Sequence, residues 1–264
     1  MLELKHIHKY YNPGTVNEMC LFEDFNLTVE KGDFVSVVGS NGSGKTSMLN
    51  ILCGSIPVEA GQILMQGEDI SRMKEYKRNR KIGRVYQNPA LGTCPSMTIL
   101  ENMSLADNKG RFYGLGKGIN KSRKSYYQEL LSQLNLGLEN KLNVKVGSLS
   151  GGQRQAMALL MSTMTPIDFL ILDEHTAALD PKTAKKVLDL TEQIVAERGL
   201  TTLMVTHNMN DAIRLGNRLI MMHEGNVIFD VAGEEKKSLT VPDLLQKFEE
   251  VSGGELANDR MLLS

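Results

Sequence analysis

The run Gly39-Ser40-Asn41-Gly42-Ser43-Gly44-Lys45-Thr46 satisfies GxxxxGK[ST] at every fixed position. Glycines at those places let backbone N–H groups turn inward around phosphate oxygens, and a helix N-terminus behind them adds partial positive charge. Lys45 then reaches the β- and γ-phosphates of a triphosphate, the Thr46 hydroxyl ligates Mg²⁺, and Ser47 continues the same helix start. A glycine-rich turn with a surface lysine is the bland alternative. The flanks weigh against it: Phe34-Val35-Ser36-Val37-Val38 reads as a buried strand, and Met48, Leu49 and Leu52 have helical spacing.

A phosphate-bound Mg²⁺ needs a hard oxygen at the C-terminal edge of a strand. Asp173 supplies it directly after the apolar run Phe169-Leu170-Ile171-Leu172. Glu174 follows. On an extended chain its side chain points to the opposite side, where a carboxylate polarises water for in-line attack on the γ-phosphate. Taken alone, this pair reads equally well as two solvated carboxylates at a strand end.

Leu149-Ser150-Gly151-Gly152-Gln153 precedes an apolar helical segment, Ala156 to Met164. It is a second glycine-rich helix N-terminus and so a second candidate anion site. A specified pentapeptide of this kind arises by chance in roughly one such chain per several thousand. Two anion sites on separate subdomains predict a head-to-tail homodimer, with each ATP sandwiched between one copy's phosphate loop and the other's second site.

With these stretches placed, the sequence resembles the ATP-binding subunits of ABC transporters, over about residues 1 to 235. The resemblance implies an α/β fold: a P-loop NTPase core with a mixed or parallel sheet, an N-terminal antiparallel β subdomain and an inserted helical subdomain at about 90–165. Residues 236–264 would add a C-terminal helix and a loose tail. It implies that Gln87 in Val85-Tyr86-Gln87-Asn88 touches Mg²⁺ beside the groove for the membrane subunit. Asp180 in Ala178-Leu179-Asp180 matches the D-loop, and His207 in Val205-Thr206-His207-Asn208 the histidine that contacts the γ-phosphate. Tyr11 best matches the aromatic that stacks on adenine, with Tyr10 as its rival. Each has a plainer role open to it: a loop amide, a helix N-cap, a strand end, a core ring.

The implied function is Mg²⁺-dependent ATP hydrolysis, with Glu174, His207 and Lys45 as the catalytic groups. It would be coupled to solute uptake through separate membrane permease subunits, at the cytoplasmic face of the membrane, with an extracytoplasmic solute-binding protein reached through the permease. The stretches Asn12 to Glu18 and Asp173 to Ala184 look like a subgroup accompanying branched-chain-type permeases, some of which handle aromatic amino acids. An exporter ATPase of the lipoprotein or macrolide kind is the runner-up. A soluble ABC ATPase acting on DNA or ribosomes would need a long coiled-coil arm or a second cassette, and a P-loop kinase has no use for Leu-Ser-Gly-Gly-Gln. One departure is visible: His175 stands where the family usually has Pro. An imidazole ordinarily titrates near neutral pH, and little effect on hydrolysis is expected.

The elements that must position these groups are legible in outline. Leu2, Leu4 and Ile7 suit a half-buried strand, and Phe22 to Val29 another. Asn12-Pro13-Gly14 and Lys31-Gly32-Asp33 read as turns. Gly54 and Pro57 close the helix behind the phosphate loop. Helical periodicity covers Thr98 to Leu105 and Ser125 to Leu136. Between them lies a Gly-rich basic stretch, 107–127, containing Lys109, Arg111, Lys117, Lys121, Arg123 and Lys124. It reads as a solvated loop, or as a contact for lipid headgroups or a partner. Asp180-Pro181 opens a helix with Val187, Leu190 and Ile194 on its buried face, ended by Gly199, and Leu203-Met204-Val205 follows as a strand. A hairpin is expected around Glu224-Gly225-Asn226, a helix from Pro242 to about Glu250, and a loose tail from Ser252 on.

Composition bounds the rest. Among 264 residues, 30 Lys and Arg face 31 Asp and Glu, a balance that argues against a nucleic-acid coat, so no nucleic-acid partner is expected. Hydrophobic residues at 41% and charged residues at 23% exclude disordered, collagenous and disulfide-scaffold classes. Cys20, Cys53 and Cys94 are scattered, as in a reduced protein, with Cys53 in an apolar setting. No signal layout opens the chain, and no run of 18 apolar residues exists to span a membrane.

Overall fold

A computed structural model of the chain describes residues 1–111 and 118–252. In chain order the elements are β1 (Leu2–Tyr11), β2 (Met19–Val29), β3 (Phe34–Gly39), α1 (Lys45–Cys53), β4 (Ala60–Met65), β5 (Glu68–Asp69), α2 (Glu75–Lys81), β6 (Ile82–Val85), α3 (Ile99–Asp107), α4 (Lys124–Ser132) and α5 (Gly151–Thr163). They continue as β7 (Phe169–Asp173), α6 (Pro181–Arg198), β8 (Thr201–Val205), α7 (Met209–Arg214), β9 (Arg218–His223), β10 (Asn226–Ala232), α8 (Gly233–Ser238) and α9 (Val241–Ser252). The chain forms two compact units, residues 1–79 with the described residues from 199 on, and residues 80–198.

The first unit holds an antiparallel sheet in the order β2-β1-β4-β5. Leu2 and Leu4 pair with Val29 and Leu27, but the register slips between Leu4 and Ile7, where His6 takes φ 51°. This β-bulge resets the alternation: Leu2 and Leu4 are buried before it, Ile7 and Lys9 after it. The unit's second set of strands is built on β3, buried at all six positions, with β8 and β9 parallel to it and β10 antiparallel on β9. The β9–β10 connection is a two-residue turn, Glu224 at φ 44° and Gly225 at φ 76°, the left-handed pair that suits a tight hairpin. The helix α9 lays Leu244 and Phe248 on Val38, Leu219, Met221 and Val231; each such side chain contributes ~1.5–3 kcal/mol by leaving water.

The second unit pairs β6 and β7 in parallel, with Val85 beside Leu172. Its helices share a core of Ile99, Met103, Tyr127, Leu130, Leu131, Met157 and Leu160. Thr98 proves to be the N-cap of α3 in a reciprocal capping box with Glu101. The α4 helix ends at Ser132, short of the expected Leu136; Asn135 at φ 51° and Gly137 at φ 69° turn the chain, while Leu134 and Leu138 stay buried. Part of the basic stretch 107–127 is engaged at its base: Lys109 donates to the Ile82 carbonyl at 2.9 Å, and Arg123 and the Tyr127 hydroxyl both bind the buried Asp107. Residues 112–117 of that stretch, and the expected tail from 253, lie outside the described residues; Ser252 is the last residue of α9.

Antiparallel N-terminal strands, a mixed sheet and a helical insertion are the elements expected of an α/β P-loop fold. Among the described residues, no helix is long and apolar enough to cross a membrane.

Candidate functional site

In the first unit the phosphate loop leaves β3 at Gly39, whose φ is 149°. A Cβ there would sit 2.0 Å from the Met222 carbonyl oxygen, so only glycine fits. The loop closes on its own lysine. Lys45, 5% exposed, donates through Nζ to the carbonyls of Gly39 and Ser40, both at 2.7 Å, and faces Ser43 Oγ at 3.4 Å. An ammonium held by two loop carbonyls is of the kind that phosphate oxygens, which are stronger acceptors, can draw away. Gly42 and Gly44 take φ 79° and 98°, and Gly44 is the N-cap of α1, which carries Thr46 and Ser47 in its first turn.

Tyr11 Oη lies 3.1 Å from Ser47 Oγ, placing its ring at the start of α1, with Lys9 Nζ 5.4 Å from the ring centroid. The rival Tyr10 instead pairs with Cys20 across the strands. His207 follows β8 by two residues. Val37 pairs with Val205, the last residue of β8, and Thr206 N still donates to the Val37 carbonyl at 3.1 Å, so His207 leaves the strand end beside the one from which the phosphate loop departs. Asn208 next to it caps α7 by accepting from Asp211 N at 3.1 Å.

In the second unit the parallel register brings the ends of β6 and β7 together: Val85, the last residue of β6, is level with Leu172; Tyr86 and Gln87 follow β6, while Asp173 ends β7 and Glu174 follows it. Arg84, inside β6, was not anticipated. Its Nη2 donates to Asp173 Oδ2 at 2.9 Å and its guanidinium stacks 4.5 Å from the Tyr86 ring centroid. The carboxylate assigned to Mg²⁺ is therefore also held by an internal cation. Gln155 steadies the same corner by donating to the Tyr86 carbonyl at 3.0 Å.

Glu174 departs from the extended-chain expectation. Its φ is 45°, so the strand's alternation stops at Asp173 and the side-chain direction is set by a left-handed residue. A non-glycine residue in that region is held at a cost of order 1–2 kcal/mol, which is typical of functional turns.

His175 corrects a second expectation. The ring is 2% exposed, and burial pushes its pKa down to about 4, so it does not titrate near neutrality. Its Nε2 lies 3.1 Å from Thr191 Oγ1. That hydroxyl already donates to the Val187 carbonyl at 2.8 Å, so Nε2 carries the proton and donates.

Ser150 and Gln153 form a reciprocal capping box at the start of α5: Gln153 N donates to Ser150 Oγ at 3.3 Å, and Ser150 N to Gln153 Oε1 at 3.1 Å. Gly151 and Gly152 serve packing, since a Cβ on Gly152 would meet Thr183 Cγ2 at 2.1 Å and one on Gly151 would meet Leu179 Cδ2 at 3.3 Å. Asp180 caps α6 through Thr183 N at 3.1 Å, and that hydrogen bonding holds its carboxyl below the usual range.

A family model described as ABC transporter matches residues 22–177. The chain belongs to the ABC transporter family. This ABC ATPase is 47% identical over 249 residues to the tyrosine transport ATP-binding protein of Clostridioides difficile, covering 94% of this chain and 99% of that one. It is 33% identical to a methionine import ATP-binding protein of Enterococcus faecalis, covering 86% of this chain and 64% of the longer relative. An ATP-binding cassette solved as a dimer in a post-hydrolysis state with ADP and Pi shares the fold at TM-score 0.74 and 31% identity, over 88% of this chain and 98% of that one. The chain is thus the ATP-binding, ATP-hydrolysing subunit of an ABC transporter.

Among the described residues no three His, Cys, Asp or Glu side chains gather into a metal cage. Mg²⁺ in ATPases keeps several waters and takes few protein ligands besides the substrate phosphates; Thr46 in the first unit, and Gln87 and Asp173 in the second, each carry a hard oxygen of the kind it accepts.

Proposed function

We propose that this ATPase drives amino-acid uptake, with tyrosine or a related aromatic amino acid as cargo, through a separate membrane permease served by an extracytoplasmic solute-binding protein. The observation that carries this reading is the 47% identity, over nearly the full length of both chains, to a tyrosine transport ATP-binding protein. The permease would be of the branched-chain type, and the ATPase would sit against it at the cytoplasmic face of the membrane.

In this reading Tyr11 stacks on adenine, and the loop from Gly39 to Ser47 wraps the phosphates, with Lys45 turning from the Gly39 and Ser40 carbonyls to the β- and γ-oxygens. Thr46, Gln87 and Asp173 ligate Mg²⁺, which neutralises phosphate charge when bound. Glu174 takes a proton from water as that oxygen attacks the γ-phosphorus. The bond to the β–γ bridging oxygen breaks, and ADP leaves with the electron pair. His207 contacts the γ-phosphate. Ser150, Gly151, Gly152 and Gln153 meet the ATP held by a second copy, with Asp180 beside that interface. ATP then favours the closed head-to-tail homodimer over the open one, and that difference in affinity is the work available to the permease. Residues 90–165 would transmit it from a single ATPase domain spanning 1–235.

Affinity purification of the tagged chain from detergent-solubilised membranes tests this. A multi-span permease should co-purify, and the complex in proteoliposomes should accumulate labelled tyrosine when ATP is supplied. Recovery of the chain without a permease would overturn the transport reading; ATP-driven complexes that ignore aromatic and branched-chain amino acids would overturn the cargo.

A further inference from the structure

The parallel pairing of β3 with β9 has a consequence beyond the sheet. Val38 is level with Met221 and Gly39 with Met222, so the next residues, Ser40 in the phosphate loop and His223 at the end of β9, stand side by side. They touch: Ser40 Oγ lies 3.2 Å from His223 Nδ1. The hairpin beyond His223 adds a backbone bond, Gly225 N donating to the Ser43 carbonyl at 3.2 Å. Side chains alternate along a strand, so Leu219, Met221 and His223 share one face. Leu219 and Met221 lie beneath Leu244 and Phe248 of α9. His223, the last of the three, meets the fully buried Phe248 edge-on, with ring centroids 5.4 Å apart and planes at 73°. A continuous chain of contacts therefore runs from Phe248 through His223 to Ser40. The Ser40 carbonyl is in turn one of the two that hold Lys45 Nζ at 2.7 Å.

We infer that α9 is a positioning element for the phosphate loop: Phe248 fixes the His223 ring, and His223 fixes Ser40 and with it the loop's geometry for nucleotide phosphates. This rests on nucleotide binding at Gly39–Thr46. A loop already in its binding geometry loses less freedom on taking up phosphate. By linkage, nucleotide that tightens the loop must also tighten α9. His223 is a positioning residue, since it acts through Ser40.

The test is titration of the full chain with mant-ATP, beside steady-state ATPase assays. His223→Ala removes the hydrogen bond to Ser40 and should raise the mant-ATP Kd and the KM for ATP about three- to tenfold, with kcat at saturating ATP within about twofold. His223→Asn, which keeps a polar atom near the Nδ1 position, should recover most of the affinity. Phe248→Leu keeps the core filled while removing the ring edge; it should weaken binding in the same direction, and adding it to His223→Ala should cost little more. Hydrogen exchange across 241–251 should slow when mant-ATP is bound. An unchanged Kd in folded His223→Ala, fully additive losses in the double variant, or unaltered exchange in α9 would each overturn the inference. Wild-type protein that binds no mant-ATP would overturn both the inference and the nucleotide reading beneath it.

Discussion

Arg84 and Asp173 form an ion pair at 2.9 Å between neighbouring parallel strands, with side chains only 9% and 11% exposed. Both side chains are largely withdrawn from water, so the pairing of their charges matters to stability. Removing one member of such a pair leaves an uncompensated buried charge and typically costs several kcal/mol, whereas replacing both is far milder. Arg84→Met should therefore lose ~3 kcal/mol of stability in denaturant unfolding, and Arg84→Met with Asp173→Asn should regain most of it. A single variant as stable as the wild type would mean that the pair is not structural.

That pair also marks the limit of what the chain's pattern reveals. Features set by residue type over a short span are legible: Gly39, Gly42 and Gly44 take backbone angles that favour glycine, and continuous apolar runs mark β3, β7 and β8. Strand β6 was not legible, because Gly83 and Arg84 interrupt four residues whose charge is matched 89 positions away. Helix α2, Glu75–Lys81, carries no apolar stripe; Arg78 in it is buried because its guanidinium donates to the carbonyls of Ile51, Leu52, Ser71 and Met73. His223 reaches Ser40 across 183 positions through strand register alone. Short-range spacing finds glycine-rich loops and apolar strands; contacts made by sheet register need the fold.

His175 makes a pH prediction. Its folded pKa is about 4 against an ordinary 6.5. Above pH 6.5 the ring is neutral in both states and contributes no pH dependence. As pH falls through 6.5 the unfolded chain takes up a proton that the buried ring refuses, so stability drops until about pH 4, where the folded ring also protonates. The gap corresponds to roughly 3 kcal/mol. His175→Gln keeps a donor toward Thr191 and cannot titrate there. Its unfolding free energy should be flatter than the wild type's between pH 6.5 and 4, with ATPase activity at pH 8 within about twofold. Parallel pH profiles for the two proteins would contradict this.

Gly152 packs where a methyl group has no room, its Cβ position lying 2.1 Å from Thr183 Cγ2 but 3.5 Å from Thr183 Cβ. Gly152→Ala should cost ~1–3 kcal/mol through overpacking, seen as a fall in thermal midpoint of a few degrees. Thr183→Ser deletes the obstructing methyl, and the double variant should recover most of that fall. A single variant melting with the wild type would show that α5 shifts freely at this point, and with it the signature serine at its cap.

Glu174 offers the sharpest separation of chemistry from structure. Its backbone is held at φ 45° between two buried neighbours, Asp173 and His175. Gln has the same Cβ and the same length, so Glu174→Gln keeps whatever backbone strain the turn carries and changes only the carboxylate. Stability should stay within ~0.5 kcal/mol of wild type, as expected for a substitution that creates no cavity and buries no new charge. Loss of a general base slows a reaction by about 10²–10⁴-fold, so single-turnover hydrolysis should fall by that much while mant-ATP binding persists. If ATP closes two copies head to tail, the variant should elute as a dimer with ATP and as a monomer with ADP in size-exclusion chromatography. Hydrolysis at the wild-type rate would remove Glu174 from the role of base, and because the fold is held constant, no structural effect could account for that result.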